Sequence, residues 1–141
     1  MLDLTPGALA EPVTGRRWAR DEIMRQVAAR ARRLHRQNIK AGDRVLLAFG
    51  NRLEFFAELL AVWRLGGCVI PVDDRLTVFE VERLAAAATP RFAVVADDTN
   101  TAVAGAMAAA GVSVVHTLET ERGVEDPSGT APWGRVRMTM R

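Results

Sequence analysis

The 141-residue sequence has one cysteine, no tyrosine and no long apolar segment. A single cysteine cannot form an intrachain disulfide, and this usage is typical of proteins from a reducing compartment. No run approaches the roughly 20 apolar residues that a membrane-spanning helix requires. Residues 1–15 have no charged start followed by an apolar stretch, so they do not resemble a secretory signal. The sequence therefore predicts a cytoplasmic protein without a membrane span.

The chain also has little net charge. Its 19 basic and 17 acidic residues leave a formal charge of +2. Lys40 is the only lysine, and ten of the 19 basic residues lie within residues 16–44. No set of aromatic side chains accompanies these arginines, although stacking on aromatic residues is common in nucleic-acid binding. We interpret them as a solvated helix face and predict no nucleic-acid partner.

Hydrophobic patterning predicts an alternation of strands and helices. Residues 44–49 are a short apolar run typical of a strand buried on both faces, and three further strands are predicted at residues 68–72, 92–96 and 112–116. Apolar residues at helical spacing and helix-breaking residues predict four helices, at residues 21–37, 51–65, 77–88 and 100–110. Short loops between alternating strands and helices indicate parallel strands with right-handed crossovers. The predicted fold class is α/β, a parallel sheet of about four strands with helices on both faces.

Local residues set expectations for individual side chains in this fold. In the first helix the arginines, Arg30 among them, are expected to point away from the apolar face. Asn51 is expected to cap the second helix with Glu54 three residues on, and Thr77 to form a capping box with Glu80. The side chains expected to point inward from the second helix are Phe55, Leu59, Val62 and Trp63.

Composition divides the chain into three parts. Residues 1–15 contain Pro6, Gly7, Pro12 and Gly15 without periodicity and are predicted to be an extended arm. Residues 16–117 form the predicted α/β subdomain. No apolar face can be drawn in residues 118–141, which are predicted to be an irregular or disordered tail.

Residues 41–77 carry a resemblance to a known family. Five short motifs follow one another there: Gly42-Asp43-Arg44-Val45, Asn51 with Glu54-Phe55, Leu65-Gly66-Gly67, Val69-Ile70-Pro71 and Arg75-Leu76-Thr77. Adenylate-forming ligases (acyl-CoA and aryl-CoA synthetases, nonribosomal-peptide adenylation domains and luciferases) have the same elements in the same order near their beginning. The chain thus resembles the N-terminal portion of an adenylate-forming ligase, over roughly residues 14–96.

The resemblance implies part of a large N-terminal domain and a reaction in which ATP activates a carboxylic acid as an acyl-AMP. ATP and Mg²⁺ are implied only for a complete enzyme. In this family, chemistry depends on a phosphate loop with a lysine, a later acidic residue and a lysine of a mobile C-terminal domain. Lys40 precedes a strand, away from any such motif, so we assign no catalytic residue and no cofactor to the isolated chain.

One segment has a weak likeness to the missing phosphate loop. Residues 127–132 echo the family's T-S-G-T-T-G motif and include Ser128, Gly129 and Thr130. A working loop needs backbone N–H groups held by an adjoining strand and a cation for the phosphates. The preceding residues are not an apolar strand, and no lysine follows. These three residues are therefore only a degenerate phosphate-loop candidate.

Two acidic pairs follow predicted strands, where α/β folds place ligand-binding groups. Asp73-Asp74 and Asp97-Asp98 would suit the Mg²⁺ site of a receiver-type fold. That site also needs an acidic pair after the first strand and a lysine after the last, and neither is present. We favour turn and cap roles for these aspartates, because Asp prefers turns.

Isolated reactive residues do not form a recognisable site. His35 and His116 have no acidic residue or cysteine at ligand spacing, so no metal site is predicted. Ser113 lacks the G-x-S-x-G turn of hydrolases. Cys68 lies in an apolar strand and is interpreted as a small buried hydrophobic residue rather than a nucleophile.

The function that follows is an N-terminal fragment or split half of an acid-activating ligase, incomplete as a catalyst by itself. A standalone remnant that acts as an interaction or scaffold module is the alternative. In either case the expected partner is the missing remainder of the enzyme or a second copy of the chain. Soluble monomers rarely expose large apolar patches, so we expect Phe56 or Trp63 of the strongly apolar second helix near the contact.

Overall fold

The computed structural model describes residues 7–11, 14–50 and 52–117. Within them, the elements follow in the order β1 (Leu9–Ala10), β2 (Arg17–Trp18), α1 (Arg20–Arg36), β3 (Arg44–Ala48), α2 (Leu53–Arg64), β4 (Cys68–Val72), α3 (Val78–Ala88), β5 (Phe92–Val95), α4 (Thr101–Ala109) and β6 (Ser113–His116). The four predicted strands and four predicted helices are confirmed, with small differences at their ends. The expected tail at residues 118–141 lies outside the described residues and stays a prediction.

The main sheet has four strands in the order β4-β3-β5-β6, and all neighbours are parallel. Strand β3 lies in the middle, with Leu46 opposite Ile70 of β4 and Ala93 of β5. Helices follow β3, β4 and β5, and each returns the chain to the same edge of the sheet, as parallel pairing requires. The predicted fold class is confirmed.

Alternate residues of the sheet face two separate hydrophobic clusters. Val45 and Leu47 of β3 face the side covered by α1 and α2. Leu46 and Ala48 face the side that α3 and α4 cover. Because successive side chains in a strand point to opposite faces, a continuous apolar run is what a strand covered on both sides needs. Helices therefore lie on both faces, as predicted.

The N-terminal arm is partly ordered into the fold. Leu9 and Ala10 of β1 pair antiparallel with Trp18 and Arg17 of β2. Trp18 is buried in the core beneath α1. Part of the segment predicted to be an extended arm is thus extended and hydrogen-bonded to the residues just before α1.

The local signal for the start of α3 is confirmed. The Thr77 hydroxyl accepts a hydrogen bond from the Glu80 backbone N–H at 3.2 Å, and the Glu80 carboxylate accepts one from the Thr77 N–H at 2.8 Å. Helix α3 ends at Ala88, before Thr89-Pro90. Pro71 lies in β4, which is an edge strand, where a missing N–H is tolerated.

Three expectations about side chains need comment. Trp63 is expected to point inward, but it is 46% exposed, on a side of α2 that the described residues leave open. Cys68 was expected to be buried, and it is exposed at the start of the edge strand β4. Asn51, the expected cap of α2, lies outside the described residues. The structure places Arg52 at the N-cap, without a side-chain capping bond.

A buried ion pair joins α1 to α2. Arg30 is 0% exposed and its Nε donates to Glu58 Oε2 at 3.0 Å, while Glu58 is itself 1% exposed. The expectation that Arg30 points to solvent is therefore wrong. The Arg30 guanidinium also contacts the Gln26 side chain one turn earlier, and the Thr117 hydroxyl donates to Glu58 Oε2 at 2.6 Å. The pair thus connects two helices to the end of β6.

The Glu58 carboxyl is only partly satisfied. Its Oε1 has no hydrogen-bond partner among the described residues. Removal from water raises the pKa of Glu58, and the opposing effects of the Arg30 charge and the Thr117 hydrogen bond do not cancel the rise.

Within the described part of the chain, no helix is long and apolar enough to cross a membrane.

Breaking one side of this pair is expected to destabilise the fold more than removing both. Glu58→Leu leaves Arg30 buried without an anion and should cost about 3–5 kcal/mol of unfolding free energy, whereas Arg30→Met with Glu58→Leu should recover most of that loss. Denaturant unfolding of the two single variants and the double variant measures the difference.

The exposed pair between Arg25 and Glu22 on α1 provides the control for this measurement. Arg25→Met should change the unfolding free energy by less than about 1 kcal/mol. Additive losses in the Arg30 and Glu58 variants would contradict a direct coupling between the two buried charges.

Candidate functional site

The strand order identifies one edge of the sheet as the candidate site. From β3 the chain crosses to β4 on one side, and β5 then lies on the other side of β3. Doubly wound sheets bind ligands in the crevice outside the carboxyl ends of the strands at such a point. The residues at this edge are Phe49 and Gly50 after β3, Asp73 and Asp74 after β4, and Asp97 and Asp98 after β5.

Arg52 spans this crevice. Its Nη2 lies 3.0 Å from both carboxylate oxygens of Asp98. The same atom lies 3.8 Å from Asp74 Oδ2. The side chain therefore links the turns after β4 and β5 across the end of β3. Because its charge already faces two carboxylates, this arginine is not an open anion receptor in the structure.

A cleft of about 370 Å³ lies beside Arg52. Its walls are formed by five residues at the ends of β3 and β4: Phe49, Gly50, Asp73, Asp74 and Arg75. A side chain at Gly50 would bring its Cβ to 3.0 Å from Asp74 Oδ2. Glycine at this position therefore allows the Asp74 carboxylate to approach the chain leaving β3.

Asp73 serves the turn in which it lies. Its carboxylate accepts from the Arg75 backbone N–H at 2.8 Å and from Arg75 Nη2 at 2.9 Å. These hydrogen bonds hold the pKa of Asp73 well below its usual range. The turn role predicted for Asp73 is confirmed, whereas Asp98 pairs with Arg52.

The remaining candidates do not converge on the cleft. His116, at the end of β6, has Nδ1 3.9 Å from Asp97 Oδ1. His35 is exposed near the C-terminus of α1. Lys40 precedes β3 and therefore lies toward the opposite, amino edge of the sheet. Residues 7–11, 14–50 and 52–117 contain no cluster of three or more histidine, cysteine or acidic side chains able to hold a metal ion.

Sequence reasoning missed the group that occupies the N-terminus of α2, next to the crevice. Glu11 Oε2 accepts a hydrogen bond from the Leu53 backbone N–H at 2.8 Å. Arg16 contacts Glu11 and donates to both oxygens of Glu54 at 2.7 and 3.0 Å. A helix N-terminus favours an anion, and here a carboxylate from the arm fills that position. No local signal marks Glu11, because its partner lies 42 residues away in the sequence.

Hydrogen bonding controls the charge of Glu11. Burial by itself would raise the pKa of this carboxyl, but hydrogen bonds from Arg16, Thr14 and the Leu53 N–H together hold the pKa below its ordinary value of 4.5. Glu11 is therefore ionised at neutral pH and acts as a fixed negative charge at the start of α2.

Five further residues were singled out from the sequence, two as partner contacts and three as a degenerate phosphate loop. Phe56 and Trp63 lie on α2 and are 39% and 46% exposed. Ser128, Gly129 and Thr130 lie outside the described residues, so their assignment as a degenerate phosphate loop stays a prediction.

Comparison with known proteins gives a consistent set of matches. A sequence model of the family described as AMP-binding enzyme matches residues 5–135. The hybrid PKS-NRPS synthetase mycA of Thermothelomyces thermophilus is 33% identical over 118 residues, which cover 81% of this chain and 3% of that protein. The chain thus spans a small part of the length of this relative.

Solved structures show the same fold at low sequence identity. The luciferase-like enzyme of the nonluminescent mealworm Zophobas morio matches with a TM-score of 0.68 and 19% identity, over 79% of this chain and 27% of that one. ATP-bound MatB of Rhodopseudomonas palustris matches with a TM-score of 0.67 and 23% identity, over 82% and 23%. The N-terminal subdomain of Klebsiella oxytoca NpsA matches with a TM-score of 0.64 and 23% identity, over 73% and 25%. This chain has the fold of about a quarter of each.

Neutralising Glu11 should weaken the fold in a pH-dependent way. Because the folded pKa lies below that of the unfolded chain, the carboxylate stabilises the fold above pH 4.5, and this contribution is lost as pH falls through the folded pKa. We expect Glu11→Gln to lower the unfolding free energy by about 1–2 kcal/mol at pH 7, the size of a lost helix cap.

Chemical denaturation of both proteins from pH 7 to pH 3 tests this expectation. The two stability curves should approach each other at the acidic end. Glu82→Gln, an exposed glutamate on α3, is the control and should follow the wild type throughout. A constant offset between Glu11→Gln and wild type at every pH would show that the charge of Glu11 is not what stabilises α2.

Proposed function

Because the chain belongs to the AMP-binding enzyme family, we propose that it is the N-terminal portion, or one half of a split form, of a ligase that activates a carboxylic acid with ATP. The observation that carries this proposal is the family match over residues 5–135, which include the whole four-stranded parallel sheet and its helices. The fold of the luciferase-like, MatB and NpsA structures supports it. A cytoplasmic location is part of the proposal, in keeping with a single unpaired cysteine.

ATP and Mg²⁺ do not fit the described part of the chain. Nucleotide phosphates need clustered backbone N–H groups and a cation that can reach them. Here Glu11 already binds the N-terminus of α2, Arg52 is paired with Asp98, and Lys40 lies toward the other edge of the sheet. We therefore propose that the remainder of the enzyme supplies ATP binding and catalysis, and that this chain supplies part of the supporting domain.

A second function is a non-catalytic interaction or scaffold module. The observation that favours it is the pairing of the charges along the carboxyl edge, where Asp73 binds Arg75 and Asp98 binds Arg52. An edge whose charges bind one another is suited to structural support. The two functions differ in one respect: a ligase fragment regains activity with its remainder, and a scaffold module does not.

The isolated chain should not catalyse adenylation. Acid-dependent exchange of pyrophosphate with ATP, measured over a panel of aliphatic and aromatic acids, should not exceed that of a heat-inactivated control. Supplying the remainder of an AMP-binding enzyme should restore exchange if the ligase proposal is correct. Turnover by the 141-residue chain alone would show that it holds catalytic residues that we have not identified.

Nucleotide binding by the isolated chain should also be weak. We expect dissociation constants for ATP and AMP no tighter than about 1 mM, which corresponds to about 4 kcal/mol. Calorimetric titration measures this directly. A micromolar constant would contradict the expectation, and substitution of Ser128, Gly129 and Thr130 would then test the degenerate phosphate loop.

A further inference from the structure

Helix α2 has an apolar side that the described part of the fold leaves open. Its inner side packs on the sheet through Leu53, Ala57 and Ala61, each no more than 1% exposed. On another side, four apolar residues follow one another at helical spacing: Phe56, Leu59, Leu60 and Trp63. We call these four residues the α2 stripe. Residues at i, i+3, i+4 and i+7 lie on one face, and the seven residue steps from Phe56 to Trp63 extend about 10 Å along the helix axis.

The two ends of the α2 stripe are aromatic and exposed. Phe56 is 39% and Trp63 is 46% exposed, whereas Leu59 and Leu60 are half-buried against the core. Helix faces that meet solvent are usually polar, and a stripe with large apolar side chains marks a surface that another element covers. Tryptophan is also among the residues most enriched at the energetic centres of interfaces.

The neighbouring edge strand limits how a partner can approach. Cys68 N–H donates to the Asp43 carbonyl of the chain entering β3 at 2.7 Å. Because backbone groups alternate along a strand, Val69 and Pro71 turn theirs away from β3. Pro71 has no N–H, so β4 cannot offer a complete ladder to an added strand. This edge therefore favours binding of a partner by side-chain packing on α2 over extension of the sheet.

The lengths of the solved relatives indicate what that partner is. MatB and the luciferase-like enzyme match this chain over only 23% and 27% of their own residues. About three quarters of such an enzyme thus lies outside the part that this chain reproduces. A stripe with three- and four-residue spacing suits the ridges and grooves of another helix.

We propose that the α2 stripe is the surface on which the rest of an AMP-binding domain packs, through an apolar helix of that part. This inference rests on the proposed function, because it takes the remainder of the enzyme as the occupant. The contact places Trp63 and Phe56 in an interface and leaves the carboxyl edge of the sheet, with Arg52, accessible beside it.

The chain offers a matched control for this proposal. Phe79 on α3 is 64% exposed, more than either aromatic residue of the α2 stripe. It lies at the start of a helix on the opposite face of the sheet, with the Arg83 guanidinium 5.8 Å from its ring centre. Trp63→Glu and Phe79→Glu therefore introduce the same charge at exposed aromatic positions on different faces.

The test uses R. palustris MatB from which the segment matched by this chain has been deleted. We co-express it with the tagged 141-residue chain and measure association by affinity purification and light scattering. A one-to-one complex is expected, weakened at least about tenfold by Trp63→Glu and unchanged by Phe79→Glu. Thermal unfolding of each isolated variant should match that of the wild-type chain, since both positions are at the surface.

A covalent chimera provides a second measurement that does not depend on association of two polypeptides. In it, this chain replaces the matched segment of MatB. We expect Trp63→Glu to lower the melting temperature of the chimera while leaving that of the isolated chain unchanged, and Phe79→Glu to affect neither. Equal effects of the two substitutions in the chimera would overturn the proposal.

Other outcomes are equally informative. A homodimer that requires Trp63 and is not displaced by the MatB part would overturn the proposed occupant in favour of a second copy of this chain. A stable monomer that binds neither the MatB part nor a hydrophobic dye would show that the α2 stripe is not an interface.

Complex formation without pyrophosphate exchange would support this surface while the ligase proposal fails. If the Trp63→Glu chain restores pyrophosphate exchange as well as the wild-type chain does, the ligase proposal is supported and the α2 stripe is not the interface.

Discussion

The buried ion pair between Arg30 and Glu58 determines how the helices on one face of the sheet fit together. Both side chains are removed from water, so each charge depends on the other for compensation. The Thr117 hydroxyl binds the same carboxylate oxygen, and this contact extends the pair to the end of β6. Since an uncompensated buried charge is costly, the ion pair restricts how α1 and α2 can shift on their shared apolar core, and the Thr117 hydrogen bond adds a link to the end of β6.

Helix α2 is consequently held on several sides by unlike interactions. Glu58 anchors its middle to α1, and Glu11 binds its first N–H group from the arm. Arg16 then links Glu11 to Glu54 within the first turn. The inner face is apolar and packed on the sheet. A helix fixed in this way can present the α2 stripe as a rigid surface, which reduces the entropic cost of binding another element.

At the carboxyl edge of the sheet lies a crevice whose charged side chains pair with one another. Arg52 faces Asp98 and Asp74, and Asp73 faces Arg75. These pairs hold the turns after β3, β4 and β5 in fixed relation, which suits a supporting role. Together with a match to about a quarter of solved relatives, this pairing supports our proposal that the remainder of the enzyme supplies nucleotide binding.

The sequence by itself determined the elements of this fold, because their signals are local. Apolar runs marked the strands, and Thr77 with Glu80 marked the start of α3 within four residues. Long-range pairs were decided only by tertiary structure. Arg30 has the pattern of a solvent-facing arginine, since Glu58 lies 28 residues further along, and Glu11 meets Leu53 across 42 residues. Cys68 is exposed on β4, an edge strand, and the exposure of Trp63 depends on which side of α2 the other elements cover. Strand order arises from packing of the whole sheet, and no short segment encodes it.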